Sequence, residues 1–240
     1  MTDFEFEKLS DTMEICISTE HRFGTDAFLL ADFASPRKKD KVCDLCTGSG
    51  IVALLMKRNN NPSSIIGIDI QEKAIEQFKL SIKRSNLENI EGICADLKNL
   101  WDNAPDRNLD VVTCNPPYKI DNTGEKNNLD AVTIARHEVL CNIEDVCESA
   151  SKLLKFGGRL CICNRPERLA DVILAMKKFD IEPKRLRFVS KTPTTAPWLF
   201  LIEGKKGSKP FMKVEPQLFV QGENGFSEEL MKIYGKVVAK

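Results

Sequence analysis

No stretch of this 240-residue sequence approaches the roughly 20 consecutive apolar residues that a bilayer-spanning helix needs. Its start, MTDFEFEKLSD, lacks the basic-then-apolar order of a secretion signal, so a cytoplasmic location is expected. Internal repeats are missing, which excludes solenoids and propellers, and no low-complexity linker divides the chain. Net charge is missing too: 35 Lys+Arg balance 35 Asp+Glu. Taken whole, that balance argues against a polyanion binder.

Other features are present in quantity. A 42% hydrophobic and 29% charged composition suits a globular protein long enough to bury a sizeable core. The zero net charge hides a gradient, because residues 151–214 carry 15 Lys+Arg against 5 Asp+Glu, leaving 20 against 30 elsewhere. Such separation can steer a polyanion to one face. The nine cysteines are an odd count and sit mostly in apolar runs, as buried free thiols of a reducing compartment do. Cys43-x-x-Cys46 and Cys161-x-Cys163 lie in predicted strands or a strand-ending turn, not on zinc knuckles, so no metal is expected.

From Lys41 onward, short apolar runs alternate with helical patterns, the signature of a parallel sheet flanked by helices. Strands are predicted over residues 42–45, 64–69, 90–95, 109–114, 159–164, 184–190 and 198–203. Helices are predicted over 51–58, 72–85, 143–154 and 168–179, with Gly157-Gly158 capping the third. The last two strands are joined by a Pro- and Thr-rich connection too short for a helical crossover, so they should pair antiparallel. Residues 1–240 are read as one domain, with 1–40 an appendage before a core over 41–240.

The first strand ends in Asp44-Leu45-Cys46-Thr47-Gly48-Ser49-Gly50, and a helix begins at once. Glycines there let backbone approach a ligand, and the helix N-terminus favours a polar or anionic group. Gly48-x-Gly50-x-x-Ala53 also fits a dinucleotide fingerprint, with Asp69 placed 19 residues after Gly50 as a ribose-binding acid, which keeps a nicotinamide-dependent oxidoreductase in view. Two acids weigh against that rival. Asp44 precedes the glycines, where a carboxylate can hold the cation of a methionine-type ligand, and Asp96 ends the third strand, where it can accept from an adenine amino group.

The fourth strand runs into Asn115-Pro116-Pro117-Tyr118. Two prolines rigidify a loop at the carboxyl end of a central strand, where ligands of open α/β sheets bind. An exocyclic or amide nitrogen is a poor nucleophile because its lone pair is delocalised. Two acceptors aimed at its hydrogens, the Asn115 side-chain oxygen and the Pro116 carbonyl, favour a more tetrahedral nitrogen, and Tyr118 offers an aromatic face for a base.

These motifs resemble those of class I S-adenosylmethionine methyltransferases, whose first motif usually reads D-x-G-x-G-x-G; here Cys46 replaces the first glycine. The resemblance implies a Rossmann-like class I methyltransferase fold, a seven-stranded mostly parallel sheet with helices on both faces, and S-adenosyl-L-methionine as cofactor. Asn-Pro-Pro-Tyr is similar to the motif of enzymes acting on adenine N6, guanine N2 or a glutamine amide. Over nearly the whole chain the sequence resembles the tRNA1(Val) adenine-N6 methyltransferase family, through His21-Arg22-Phe23-Gly24-Thr25-Asp26-Ala27, Ala135-Arg136-His137-Glu138, Arg165-Pro166-Glu167-Arg168 and Glu182-Pro183-Lys184-Arg185.

The resemblance implies that residues 1–40 cover the cofactor site, with Phe23, Gly24 and Thr25 contacting the cofactor beside Cys46, Ile70, Leu97 and Asn115. It implies tRNA as the partner, with no obligate protein partner, and methylation of the adenosine 3′ of the anticodon. Arg136, His137, Arg165, Arg168, Lys184 and Arg185 are then candidate RNA contacts, and Trp198 is assigned to the core. Alternatives are a release-factor glutamine methyltransferase, whose separate helical domain exceeds the 40 residues present here, a ribosomal-RNA guanine-N2 enzyme, and a non-catalytic RNA-binding module.

Overall fold

The computed structural model describes residues 4–18, 23–98, 108–116, 142–223 and 225–235. An antiparallel pair, β1 (Glu5–Ser10) and β2 (Met13–Ile17), precedes helix α1 (Thr25–Ala34). Strands and helices then alternate: β3 (Lys41–Leu45), α2 (Ile51–Asn60), β4 (Ser64–Asp69), α3 (Glu72–Arg84), β5 (Ile90–Cys94) and β6 (Leu109–Cys114). After them come α4 (Ile143–Leu153), β7 (Leu154–Asn164), α5 (Leu169–Lys178), β8 (Ile181–Ser190) and β9 (Leu199–Lys206). The chain closes with four two-residue strands, β10 (Lys213–Val214), β11 (Leu218–Phe219), β12 (Gln221–Gly222) and β13 (Gly225–Phe226), and helix α6 (Glu228–Ile233).

The main sheet has the order β5-β4-β3-β6-β7-β9-β8. Its pairings are parallel except that β9 runs antiparallel to both neighbours, as the short 191–197 connection requires. β10 and β11 add to the β8 edge in parallel, which makes nine strands where seven are predicted; two-residue ladders carry too little periodicity to be seen in a sequence. Both faces are covered, so the central strands are apolar on both sides. One core layer holds α1, α2 and Phe78 of α3, and the other holds α4 and α5. The order reverses between β3 and β6, and this switch point puts a crevice at their carboxyl ends.

One local reading is corrected. Gly157-Gly158 does not cap α4, which ends at Leu153 with Leu154 already extended (φ −70°, ψ 139°). The pair lies inside β7, where the register with β6 slips between Leu109↔Leu154 and Val111↔Arg159. Gly157 takes φ +76°, and a Cβ at Gly158 would stand 2.8 Å from the Leu109 carbonyl oxygen, so the glycines serve an irregularity of the ladder. The segment before residue 41 is also more than a cover. α1 buries Leu29, Leu30, Ala31 and Ala34 in the same core layer as α2.

Candidate active site

The turn after β3 is built on left-handed backbone: Cys46 has φ +54°, Gly48 +55° and Gly50 +86°. Cys46 stands where glycine would be unstrained, at a cost of about 1–2 kcal/mol. Neighbouring elements hold the loop. Thr47 N–H donates to the Ile68 carbonyl at 3.0 Å, and Gly48 N–H donates to Asp69 Oδ2 at 2.8 Å. The other Asp69 oxygen accepts from Gln71 N–H at 2.9 Å, so this acid ties the glycine loop to the end of β4. Behind the loop the Phe78 ring fills space left by three glycines. Added Cβ atoms would lie 2.0 Å from it at Gly50, 2.5 Å at Gly67 and 2.8 Å at Gly92.

Asp44 is buried beneath the loop. It is 1% exposed, and its oxygens accept from Thr47 Oγ1 and Thr113 Oγ1, each at 2.6 Å. Burial pushes its carboxyl up to about 6 against the pull of those hydroxyls. In this structure the Asp44 carboxylate holds the loop and β6. Asp96 Oδ1 accepts from Lys98 N–H at 2.9 Å, opening a short helical turn in which Leu97 is buried; Ile70 is 41% exposed beside Asp69. Burial also pushes up the Cys43 and Cys161 thiols, the latter to about 12, so both stay protonated at neutral pH.

A cavity of about 190 Å³ opens beside the loop. Its walls are Phe23, Gly24 and Asp26 at the start of α1, the loop from Cys46 to Ser49, and Asn115 at the end of β6. The structure thus brings Phe23, Gly24, Cys46, Gly48 and Asn115 together there. Thr25 points elsewhere, sharing a 2.7 Å hydrogen bond with the Tyr234 hydroxyl beside a second cavity of about 450 Å³. Among the described residues no atom lies within 4 Å of where a Cβ of Gly48 would sit, and Asp26 supplies an anionic wall. Open space over bare backbone beside a carboxylate fits the positively charged methionine end of S-adenosylmethionine. Asp69, Ile70, Asp96 and Leu97 lie outside this cavity, at the carboxyl ends of β4 and β5.

Asn115 is held at both ends of its amide. Nδ2 donates to Asp26 Oδ2 at 3.1 Å, and Oδ1 accepts from the Cys163 thiol at 3.0 Å. Asp26 is not among the acids singled out from the sequence. It lies within the sequence element over residues 21–27, but an acid in the first turn of a helix reads equally as a complement to the helix dipole. Pro116 is buried, while Pro117, Tyr118, Arg136 and His137 lie outside the described residues.

The basic candidates do not share one face. Arg165 follows the last residue of β7, half-buried on the same sheet edge as Asn115. Arg168 pairs with Asp171 at 3.0 Å, and Lys184 Nζ donates to the Lys209 and Pro210 carbonyls at 3.1 and 3.4 Å. Arg185 meets Glu203 at 3.1 Å and stacks 3.9 Å over Phe33, so it belongs to the packing of the domain. Register places Arg185 level with Cys161, four residues and ~13 Å below Arg165 along the strands. The positive charge of residues 151–214 is also partly neutralised by acids from outside: Asp110 at Lys155, Glu144 at Lys178 and Glu229 at Arg187. Trp198, assigned to the core, is 38% exposed at the start of β9 on the edge that carries Arg165.

Residues 36–194 match the family described as "Methyltransferase domain". A curated relative from Parabacteroides distasonis, a tRNA1(Val) (adenine(37)-N6)-methyltransferase, is 29% identical over 205 residues, covering 83% of this chain and 82% of its own. A relative of the same name from Bacteroides thetaiotaomicron is 28% identical over 233 residues, 96% of this chain and 94% of its own. Among solved structures, a predicted O-methyltransferase from Agrobacterium tumefaciens has the same fold, with a TM-score of 0.71 at 19% identity over 88% of this chain and 95% of that one.

Proposed function

Because this chain belongs to the methyltransferase-domain family, we propose that it methylates N6 of a tRNA adenosine, the one just 3′ of the anticodon in tRNA1(Val), using S-adenosylmethionine. The observation that carries the reading is Asn115, an amide fixed at the rim of the glycine-loop cavity. S-adenosylmethionine supplies a sulfonium-bound methyl whose S–C bond breaks, with the electron pair left on sulfur, as the N–C bond forms.

The chain's own residues do the rest. Asn115 Oδ1 and the Pro116 carbonyl accept the two hydrogens of the exocyclic amine, favouring a lone pair free to attack in line. The methylated nitrogen, then cationic and acidic, loses one of those protons to solvent water, and no strong base is needed because positioning and electrostatics supply most of the effect. Tyr118 stacks on the target base. Phe23, Gly24 and the loop from Cys46 to Gly50 hold the methionine end of the cofactor, and Asp69, Ile70, Asp96 and Leu97 hold its adenosine. Arg165, two residues beyond the level of Asn115 at the same end of the sheet, meets the RNA backbone. Residues 1–240 act as one domain, because α1 is packed into the core of the sheet.

Among the described residues no helix is long and apolar enough to cross a membrane. The test is incubation with bulk tRNA lacking the modification and methyl-labelled cofactor, followed by nucleoside analysis. Label in N6-methyladenosine is expected. Label in N2-methylguanosine, or in the glutamine of a release factor offered in parallel, would assign the rival substrates.

A further inference from the structure

We propose that Asp26 is a positioning residue for methyl transfer: its carboxylate, opposite the Cys163 thiol, fixes the Asn115 amide with Oδ1 toward the target amine. This rests on the reading of Asn115 given above and extends it to a residue 89 positions away in the chain.

The chemistry of the partners decides the orientation. An ionised carboxylate only accepts, so the amide edge facing Asp26 Oδ2 at 3.1 Å must be the NH2. The other edge, the oxygen, then accepts from the Cys163 thiol at 3.0 Å, a contact in which sulfur is the better donor than acceptor. Flipping the amide would set its oxygen against an anion and its NH2 against a donor. An unrestrained asparagine has no such preference, and the flipped form would offer the target amine a donor where catalysis needs an acceptor. Oδ1 keeps a second lone pair for the substrate after meeting Cys163. Donation from Nδ2 to an anion also polarises the amide and makes Oδ1 a better acceptor.

The backbone is arranged to permit this contact. A Cβ at Gly24 would lie 2.7 Å from Asp26 Oδ1, the oxygen not engaged with Asn115. Gly24 has ordinary backbone angles (φ −113°), so its lack of a side chain answers to space and not to conformation. Cys163 reaches Asn115 from the next strand, because Cys114 is in register with Ile162 and the following residues face each other. Three elements, α1, β6 and β7, therefore converge on one amide.

The plain alternative is that Asp26 only caps α1, a role that sets stability and leaves turnover alone. Asp26→Ala, Asp26→Asn, Asp26→Glu and Gly24→Ala separate the two, assayed for methylation of unmodified tRNA at saturating tRNA and cofactor, well below each variant's melting temperature. Loss of positioning predicts a kcat lower by roughly 10–100-fold in Asp26→Ala and Asp26→Asn, a smaller loss in Gly24→Ala, and part of the rate kept by Asp26→Glu. S-adenosylhomocysteine affinity, read by calorimetry, should change much less than kcat. Asp26→Ala combined with Asn115→Ala should be no slower than Asn115→Ala alone, since both act through one group. Wild-type turnover in Asp26→Ala, or losses that multiply in the double variant, overturns the proposal while leaving the role of Asn115 standing. Full activity in Asn115→Ala itself removes the role of Asn115, and the proposal with it.

Discussion

Thr113 Oγ1 donates to Asp44 Oδ1 at 2.6 Å across the pairing of β3 and β6, while Thr47 Oγ1 donates to the other oxygen at the same distance. One buried carboxylate thus joins the strand before the glycine loop, the loop itself and the strand that ends in Asn115. Its carboxyl, lifted by burial from an ordinary 3.8 to about 6, binds a proton more tightly in the folded than in the unfolded chain. Stability from this group is therefore fullest below about 4, falls as pH rises toward about 6, and is level beyond. Urea unfolding of wild type and Asp44→Asn should show the wild type losing ground to the variant over that window and no further above pH 7. A difference that is constant with pH would mean that Asp44 is not perturbed. Thr113→Val, which strands one oxygen, should cost ~1–3 kcal/mol in the same experiment.

Phe78 gives the loop its rear support. Fully buried, it occupies the space left by Gly50, Gly67 and Gly92, so the glycines and the ring form one packing unit. Phe78→Ala should lower unfolding free energy by about 3–5 kcal/mol. Gly67→Ala alone overpacks the site and should cost ~1–3 kcal/mol. Joined with Phe78→Leu, it should cost less than the two single changes together, because the smaller side chain makes room for the new methyl. Chemical denaturation of the four proteins checks this, and strict additivity would show that the ring and glycine do not share the space.

The fold was legible where one force dominates. β3, β4 and β6 are buried over most of their length, and short apolar-rich runs of that kind between turn and helix signals can be little else. The glycine loop was legible because its need for left-handed backbone is local, and three residues there do have positive φ. Gly157-Gly158 misled because a helix cap and a strand irregularity ask the same thing of glycine, and only the pairing with Leu109 distinguishes them. The contacts of Asp44, Asp26 and Arg185 are not legible in the sequence for another reason. Their roles depend on partners 69, 89 and 152 residues away, Thr113, Asn115 and Phe33, and no local pattern encodes those distances.

Gly48 bears on ligand binding and little on folding. Its φ of +55° disfavours a side chain by about 1–2 kcal/mol, yet nothing among the described residues would obstruct one. Any added atoms would project where the cofactor is proposed to lie. Gly48→Val should melt within a few degrees of wild type and bind S-adenosylhomocysteine at least roughly tenfold more weakly, about 1.4 kcal/mol. Isothermal calorimetry beside a melting curve checks both halves, and undiminished affinity would move the cofactor off this loop.

Arg165 and Lys184 were grouped by charge and are separated by the register of the strands. Arg165 stands at the edge that carries Asn115, whereas Lys184 is a neighbour of Arg185, which lies level with Cys161, and donates to two backbone carbonyls. If RNA reaches Asn115, phosphate must pass near Arg165 and not near Lys184. Arg165→Glu should therefore weaken tRNA binding and make the slope of log affinity against log salt shallower by about one to two contacts, because each lost phosphate contact removes close to one released counterion. Lys184→Glu should leave the slope as it is and act on stability, through the lost tether to the segment around Pro210. Filter binding across 50–300 mM salt, about the range in which such contacts are resolved, separates the two. Equal effects from both changes would place the RNA along the length of β8, and no effect from Arg165→Glu would take it away from this end of the sheet.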